Sequence, residues 1–361
     1  MKQQPEQNAL RPIHAFTTLR RRQGGFSLVE IMVALTLSLI LLAGVLAVMY
    51  SSKVTYAENE RVGRLQENGR AALELILRDL RGAGFPGCAQ PINGLFDITN
   101  TLANPTAVAW NLAQPVFGFE GAGGVWAPAL DAVLIPGATI NNDIVVVRTI
   151  PTGSPSMRVS AVVNPTGPIL VDKEVSELLT VGAPAIISDC GNASIFVVNQ
   201  FNPGGGNISA TIVRNIGGGP PGNATDDLGA TFAPGARVSP ILSIAYYVAP
   251  NAAGTGPALW RVMSNGAPQE IIPGVEAMQI RYGVDTDGNM TINDYVNANL
   301  VADWSQVISV SLAMLVRSGE ATSPTVDSRV YTLLDTALLP FNDRFQRALF
   351  TTTVTLRNRT N

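Results

Sequence analysis

The side chains best placed to do chemistry lie in one run, Asp285-Thr286-Asp287-Gly288-Asn289-Met290-Thr291-Ile292-Asn293-Asp294. Asp285, Asp287, Asn289 and Asn293 put oxygen atoms at loop positions 1, 3, 5 and 9, and Thr291 can offer a backbone carbonyl at position 7. Alternate residues of a tight loop point inward, so this spacing suits a hard cation such as calcium. Two departures from an EF-hand predict weak binding. Gly288 stands at position 4 rather than 6, and Val296 takes the place of a bidentate Glu at position 12. Asp287-Gly288 is also a good hairpin turn on its own, so an ion-filled loop and a bare turn both remain open.

Catalysis is poorly supplied elsewhere. The only histidine is His14, and the cysteines are Cys88 and Cys190 alone. Without His14 the chain can form no Ser-His-Asp triad, Cys-His dyad or His-ligated metal site. Two thiols cannot make a four-thiolate zinc site. A carboxylate hydrolase would have Asp226, Asp227, Asp285 and Asp287, each of which solvated loops explain better. We expect no enzyme and no required cofactor. The 24 basic and 27 acidic residues leave no basic excess, and no basic run exceeds Arg20-Arg21-Arg22, which argues against a nucleic-acid partner. Hydrophobic residues at 46 % argue against disorder.

The elements that position these residues begin with an unusual N-terminus. Lys2, Arg11 and Arg20 to Arg22 precede a run from Ile31 to Tyr50 that carries no charge. Twenty helical residues span about 30 Å, the thickness of a bilayer core. Basic residues before such a run keep the N-terminus cytoplasmic, so the rest of the chain is expected across the membrane. A cleaved secretory signal, with Val45-Leu46-Ala47 as its site, and a plain anchor are two readings. Neither accounts for Glu30, a carboxylate at the edge of the apolar run, where charge is costly and usually functional.

A third reading does. Gly24-Gly25-Phe26-Ser27-Leu28-Val29-Glu30 resembles the prepilin processing site of type IV pilins and their relatives. The resemblance implies cleavage after Gly25 by a membrane aspartyl peptidase and N-methylation of the new Phe26 terminus. Glu30 then becomes the fifth mature residue and can pair with the Phe26 ammonium of a neighbouring subunit. Each charge alone is expensive near hydrocarbon, and pairing offsets that cost.

Beyond Lys53 the apolar residues Val62, Leu65, Ala72, Leu73, Ile76, Leu77 and Leu80 form one face of a continuing helix, stopped by Gly82, Gly84 and Pro86. Gly44, Gly63 and Gly69 are candidate kinks or soft spots. The blocks Arg64 to Arg70 and Leu77 to Cys88 look like the PilW family of minor type IV pilins. So do Tyr246-Tyr247-Val248, Leu259-Trp260-Arg261, Gly274-Val275-Glu276, Tyr282 to Asp285 and Phe350 to Asn358.

The fold class expected is α+β and type IV pilin-like, a long helix packed on an antiparallel sheet with loop-rich elaboration. The divisions expected are a cleaved leader at 1–25, a helix at 26–82 with 26–50 in the membrane, and a periplasmic β-rich domain at 83–361. Within that domain 83–240 reads as variable and 241–361 as sheet core. Strands are expected at 241–249, 258–263, 275–284, 306–317 and 351–357. In an exported protein Cys88 and Cys190 are expected to form a disulfide, with two buried free thiols as the alternative.

The function implied by the resemblance is a minor pilin needed for assembly or initiation of the type IV pilus, at the tip or in a priming complex. Its partners would be prepilin peptidase, other minor pilins, the major pilin and a tip adhesin. A J-type minor pseudopilin of type II secretion shares the fold, and a calcium-dependent adhesin is a more distant alternative. The implied location is the inner membrane before assembly and the pilus or cell surface afterwards.

Overall fold

The computed structural model describes residues 25–84, 98–111, 114–130, 135–150, 156–172, 179–189, 191–204, 209–219, 221–264, 266–356 and 358. Cys88 and Cys190 fall outside these, as does the proposed bond between them.

Helix α1 runs from Leu28 to Gly82 without a break. The chain divides into two compact units, Met1–Glu58 and Asn59–Asn361, and the helix passes through both. In the first unit every side chain from Phe26 to Tyr56 is exposed. This stretch has an average hydropathy of 2.8 over its most apolar window, sufficient in length and composition to cross a membrane. Leu, Ile, Val, Met and Ala side chains all round a helix fit a lipid surround, not a soluble core face.

In the second unit the same helix turns amphipathic. Leu65, Gly69, Ala72, Ile76 and Leu80 are buried, three or four residues apart, as a single stripe. On the exposed side Arg64 pairs with Glu60 at 2.5 Å one turn earlier, an ion pair worth only a few tenths of a kcal/mol in water.

The described strands follow in chain order. They are β1 (Ile98–Asn100), β2 (Val116–Ala122), β3 (Val125–Ala127), β4 (Ile144–Thr149), β5 (Met157–Arg158), β6 (Ile169–Val171) and β7 (Pro184–Ser188). Next come β8 (Ala193–Val197), β9 (Gln200–Asn202), β10 (Ala210–Val213), β11 (Arg237–Pro240), β12 (Leu242–Pro250), β13 (Pro257–Met263) and β14 (Gln269–Pro273). The chain ends with β15 (Val275–Val284), β16 (Asp294–Val296), β17 (Val307–Arg317), β18 (Tyr331–Leu333), β19 (Thr336–Leu338) and β20 (Arg347–Thr355).

Two antiparallel sheets carry the main core. One has the order β14-β13-β12-β4-β2-β3, the other β16-β15-β17-β20. The helix residues Ala72, Ile76, Leu80 and Ala83 pack with Val145, Val147, Tyr246 and Val248 of the first sheet and with Met278, Ile280, Val310, Leu312 and Met314 of the second. The architecture is α+β and pilin-like, as the sequence resemblance implies. The long β17 shows why its sequence reads so clearly. Val310 to Val316 alternate between the helix side and the side covered by the β18-β19 hairpin, where Ala313 and Leu315 pack with Tyr331 and Leu333.

The middle of the chain builds a second layered lobe. Strands β4 and β12 pair directly, Thr149 opposite Leu242, although 92 residues separate them. The residues between form β5 to β11, arranged as β8-β7-β11-β5 with β1 added in parallel at the β8 edge, and as β6-β10-β9. Met157, Ile169, Ile187, Phe196, Ile212, Phe232 and Val238 give this lobe its own core. Strands β2 and β4 come from the region expected to vary, yet they lie in the same sheet as β12, β13 and β14.

Candidate functional site

At the N-terminus Gly25, Phe26 and Ser27 are non-helical and Leu28 opens the helix. The Ser27 hydroxyl accepts the Glu30 amide at 3.2 Å, and the Ser27 carbonyl accepts the Ile31 amide at 3.2 Å. Ser27 is therefore the N-cap, satisfying an amide that the helix leaves without a partner. The pattern Ser-x-x-Glu before an apolar run is a capping signature visible in the sequence, and our motif reading passed over it. Glu30 sits in the first turn, where a negative charge meets the positive end of the helix dipole. Phe26 is 77 % exposed, and a Cβ added to Gly25 would meet nothing within 4 Å.

At the other end of the helix, blocks far apart in sequence converge. The Tyr246 hydroxyl on β12 donates to Asp79 at 2.5 Å. Burial, then the adjoining Asp79 carboxylate, pushes the Tyr246 hydroxyl far above its usual range, so it stays a donor at any ordinary pH. The Thr149 hydroxyl donates to the Gly82 carbonyl at 2.8 Å, and the Gly84 amide to the Arg148 carbonyl at 2.9 Å. Asn358 reaches the Ala83 carbonyl at 2.8 Å from near the C-terminus. Carbonyls at the end of a helix have no intrahelical partners, and here side chains from β4 and the C-terminal segment supply them.

Gly69 corrects one expectation. It is neither a kink nor a soft spot, because the helix continues through it and it is buried. A Cβ there would stand 2.2 Å from the Phe350 ring, so the missing side chain admits β20 to the helix surface. Gly69→Ala offers a test with opposed signs. Alanine raises helix propensity by about 1 kcal/mol, while overpacking costs about 1–3 kcal/mol. We expect the clash to win and the melting temperature of the full chain in detergent to fall. A rise would remove the close contact from the account.

The cation candidate is a closed hydrogen-bonded turn. Asp285 accepts the Gly288 amide at 2.8 Å, the Asn289 amide at 3.2 Å and the Met290 amide at 2.8 Å. Burial disfavours the Asp285 charge, but these amide bonds outweigh it and hold the carboxyl below its usual range. Asp287 accepts the side-chain amides of Asn289 at 2.9 Å and Asn293 at 3.3 Å. The Asn293 side-chain oxygen accepts the Thr286 amide at 2.7 Å, and that of Asn289 accepts both the amide and the hydroxyl of Thr291. The loop thus gathers all five side chains, with their oxygens already engaged. Among the described residues no group of three or more His, Cys, Asp or Glu is placed to hold a metal.

A further cluster had no signal in the sequence. Arg347, at the start of β20, is wholly buried. Its guanidinium donates to Glu276 at 2.6 and 3.2 Å, to Asp343 at 2.6 and 2.7 Å, and to Asp327 at 3.4 Å. The Phe341 ring covers it, centroid 3.9 Å from Cζ. Arg317 joins at Glu276, and Tyr331 and Arg329 close around Asp327.

Residues 20–46 match the prokaryotic N-terminal methylation motif. Residues 245–358 match the type IV pilus-assembly protein W family, PilW. The chain is similar to PilW-like prepilins. The two matches support a type IV pilus-associated minor pilin, a structural component that works with other pilus components. The second matched segment runs from β12 to Asn358, so it holds Tyr246, the Arg347 cluster, Phe350 and the turn at Asp285. The first covers the Ser27 cap and most of the exposed apolar helix. No curated protein and no solved structure shows a significant match.

Proposed function

We propose that the chain is a minor subunit of the type IV pilus, needed for its assembly or initiation and placed at the tip or in a priming complex. One observation carries this reading: an unburied apolar helix whose cap, Ser27, stands two residues after Gly25. In this reading prepilin peptidase cuts after Gly25, Phe26 becomes the N-methylated terminus, and 26–50 holds the subunit in the inner membrane with 83–361 in the periplasm. Cutting there leaves Ser27 in the chain, so the helix start needs no rearrangement.

The new ammonium arrives at the positive end of the helix dipole, an unfavourable place for a cation. A Glu30 carboxylate from a neighbouring subunit offsets it, and the pairing fixes the axial register of one helix against the next. The partners are then the major pilin, other minor pilins and a tip adhesin. No catalytic step is assigned.

The test is a deletion strain scored for surface pili and complemented with wild type, Gly25→Val and Glu30→Ala. Restoration by wild type alone supports the proposal. Piliation without the gene would turn the reading toward the secretion pseudopilin. For the loop at Asp285 we propose that no ion is required, because backbone amides already satisfy its carboxylate. Chelation of calcium is expected to leave the melting temperature of the full chain unchanged, and a fall on chelation would restore calcium as a bound ligand.

A further inference from the structure

Two carboxylates lie buried at the seam between the main sheets. Asp143, just before β4, is 2 % exposed, and Glu120 on β2 is 6 % exposed. Asp143 Oδ2 accepts the Ile280 amide at 2.7 Å and Oδ1 the Gly121 amide at 3.3 Å, so one side chain ties β2 to β15 of the other sheet. Its neighbour Asn142 accepts the Met278 amide at 2.8 Å, extending the same tie. Glu120 Oε2 and the hydroxyl of Tyr282, which is fully buried, have no hydrogen-bond partner among the described residues.

No Lys or Arg forms an ion pair with either carboxylate among the described residues. The charged groups facing them are Glu120 on β2, Asp143 before β4 and Asp335 in the β18-β19 turn, with the Tyr282 hydroxyl from β15. Arg281 of β15 is engaged by Asp335 at 3.9 Å and by the Tyr295 carbonyl. Ionising both carboxylates in such a place costs several kcal/mol without a compensating cation. A Cβ on Gly118 would stand 2.1 Å from the Tyr282 hydroxyl, so β2 and β15 are in close contact here. That packing favours a proton over a hydrated metal ion as the species that neutralises the pair.

We propose that the Glu120 and Asp143 pair retains one proton at neutral pH, and that losing it loosens the seam between the two sheets. Burial first, then the Glu120 charge, pushes the Asp143 carboxyl up to about 8 against the lowering effect of its two amide bonds. Burial first, then Asp335, also raises Glu120. The folded chain thus binds the proton more tightly than the unfolded chain, whose aspartate titrates near 4. Stabilisation from the proton is complete below about pH 4 and is lost as pH rises toward about 8.

The experiment follows unfolding of the full chain in detergent from pH 5 to pH 9, with amide exchange across 118–122 and 277–284 corrected for intrinsic rates. Wild type should lose melting temperature and about tenfold or more in protection of these segments by pH 9. Asp143→Asn and Glu120→Gln should flatten both trends. Infrared spectra of wild type should show a protonated carboxyl at pH 7 that vanishes by pH 9, a readout independent of any variant. A flat wild-type profile, an unchanged slope in both variants, or rescue at pH 9 by a divalent cation alone would overturn the proposal.

Discussion

Gly25→Val is expected to leave the chain as an uncut precursor, longer than the processed form by the 25-residue leader, and to leave a deletion strain bald. The effect should be all or none, because a valine Cβ at this position meets nothing within 4 Å and so disturbs no packing. Loss of cleavage would then report the peptidase's demand for a small residue, not a folding defect. Glu30→Ala separates the next step. Its product should be cut and stable, since Ser27 rather than the Glu30 side chain caps the helix, yet should fail to restore pili. Immunoblotting for the shift in size, alongside counts of surface pili, distinguishes the two variants. A cut Gly25→Val product that restores pili would end the processing account.

Arg347→Met should be the most destabilising single change in the β-rich unit. The methionine keeps much of the volume but leaves Glu276, Asp343 and Asp327 facing one another without their shared cation. Removing one partner of a buried ion network costs about 3–5 kcal/mol. For a unit of this size that is a fall of roughly 10 °C in melting temperature. A triple variant, Arg347→Met with Glu276→Gln and Asp343→Asn, should recover part of the loss because the stranded charges are gone. Hydrogen bonds from Arg347 also hold the Asp343 carboxyl below its usual range. That contribution is therefore present above the normal carboxylate pKa and is lost as pH falls through the depressed one. Melting of wild type and both variants decides the matter. A single variant as stable as wild type would show that the network carries no net stability.

These two sites differ in how they can be read from sequence. The processing segment is local: a small residue, a carboxylate five residues on and an uncharged run all lie within one stretch, so a one-dimensional pattern contains the chemistry. The same holds for the helix stripe at Leu65, Ala72, Ile76 and Leu80, and for the alternation along β17. Four of the five strands expected in the C-terminal third both start and end within one residue of those observed. The last, β20, begins four residues earlier, at Arg347. An arginine reads as a strand boundary, and only the burial of its charge among acids from β15 and the 327–343 segment keeps it inside the sheet.

The Arg347 cluster was illegible for that reason. Its acids lie 4, 20 and 71 residues away, and no spacing rule joins them. Glu120 and Asp143 are similar, since 23 residues separate them and no spacing rule joins them. Gly69 was misread because glycine in a helix signals lost propensity, while the aromatic ring that needs the space stands on β20, almost 300 residues later. Ser27 is the exception: its capping signal is local and overlaps the prepilin-like motif.

The lobe between β4 and β12 leaves the sheet at Thr149 and rejoins it at Leu242, and these two residues face each other in register. Chain ends held at one cross-strand spacing of about 5 Å set no demand on what lies between them. Residues can be gained or lost inside the lobe without sliding β4 against β12, because that register is fixed by which side chains point toward the helix. The chain before β2 joins the lobe through β1, paired with β8, and through Thr101 and Ala103, whose amides donate to the Ile195 and Gly222 carbonyls. The fold thus sets two kinds of constraint on the chain. The helix and the sheets under it share one core and must keep their geometry, while an outgrowth whose two ends meet in register can change its length at little cost to that core.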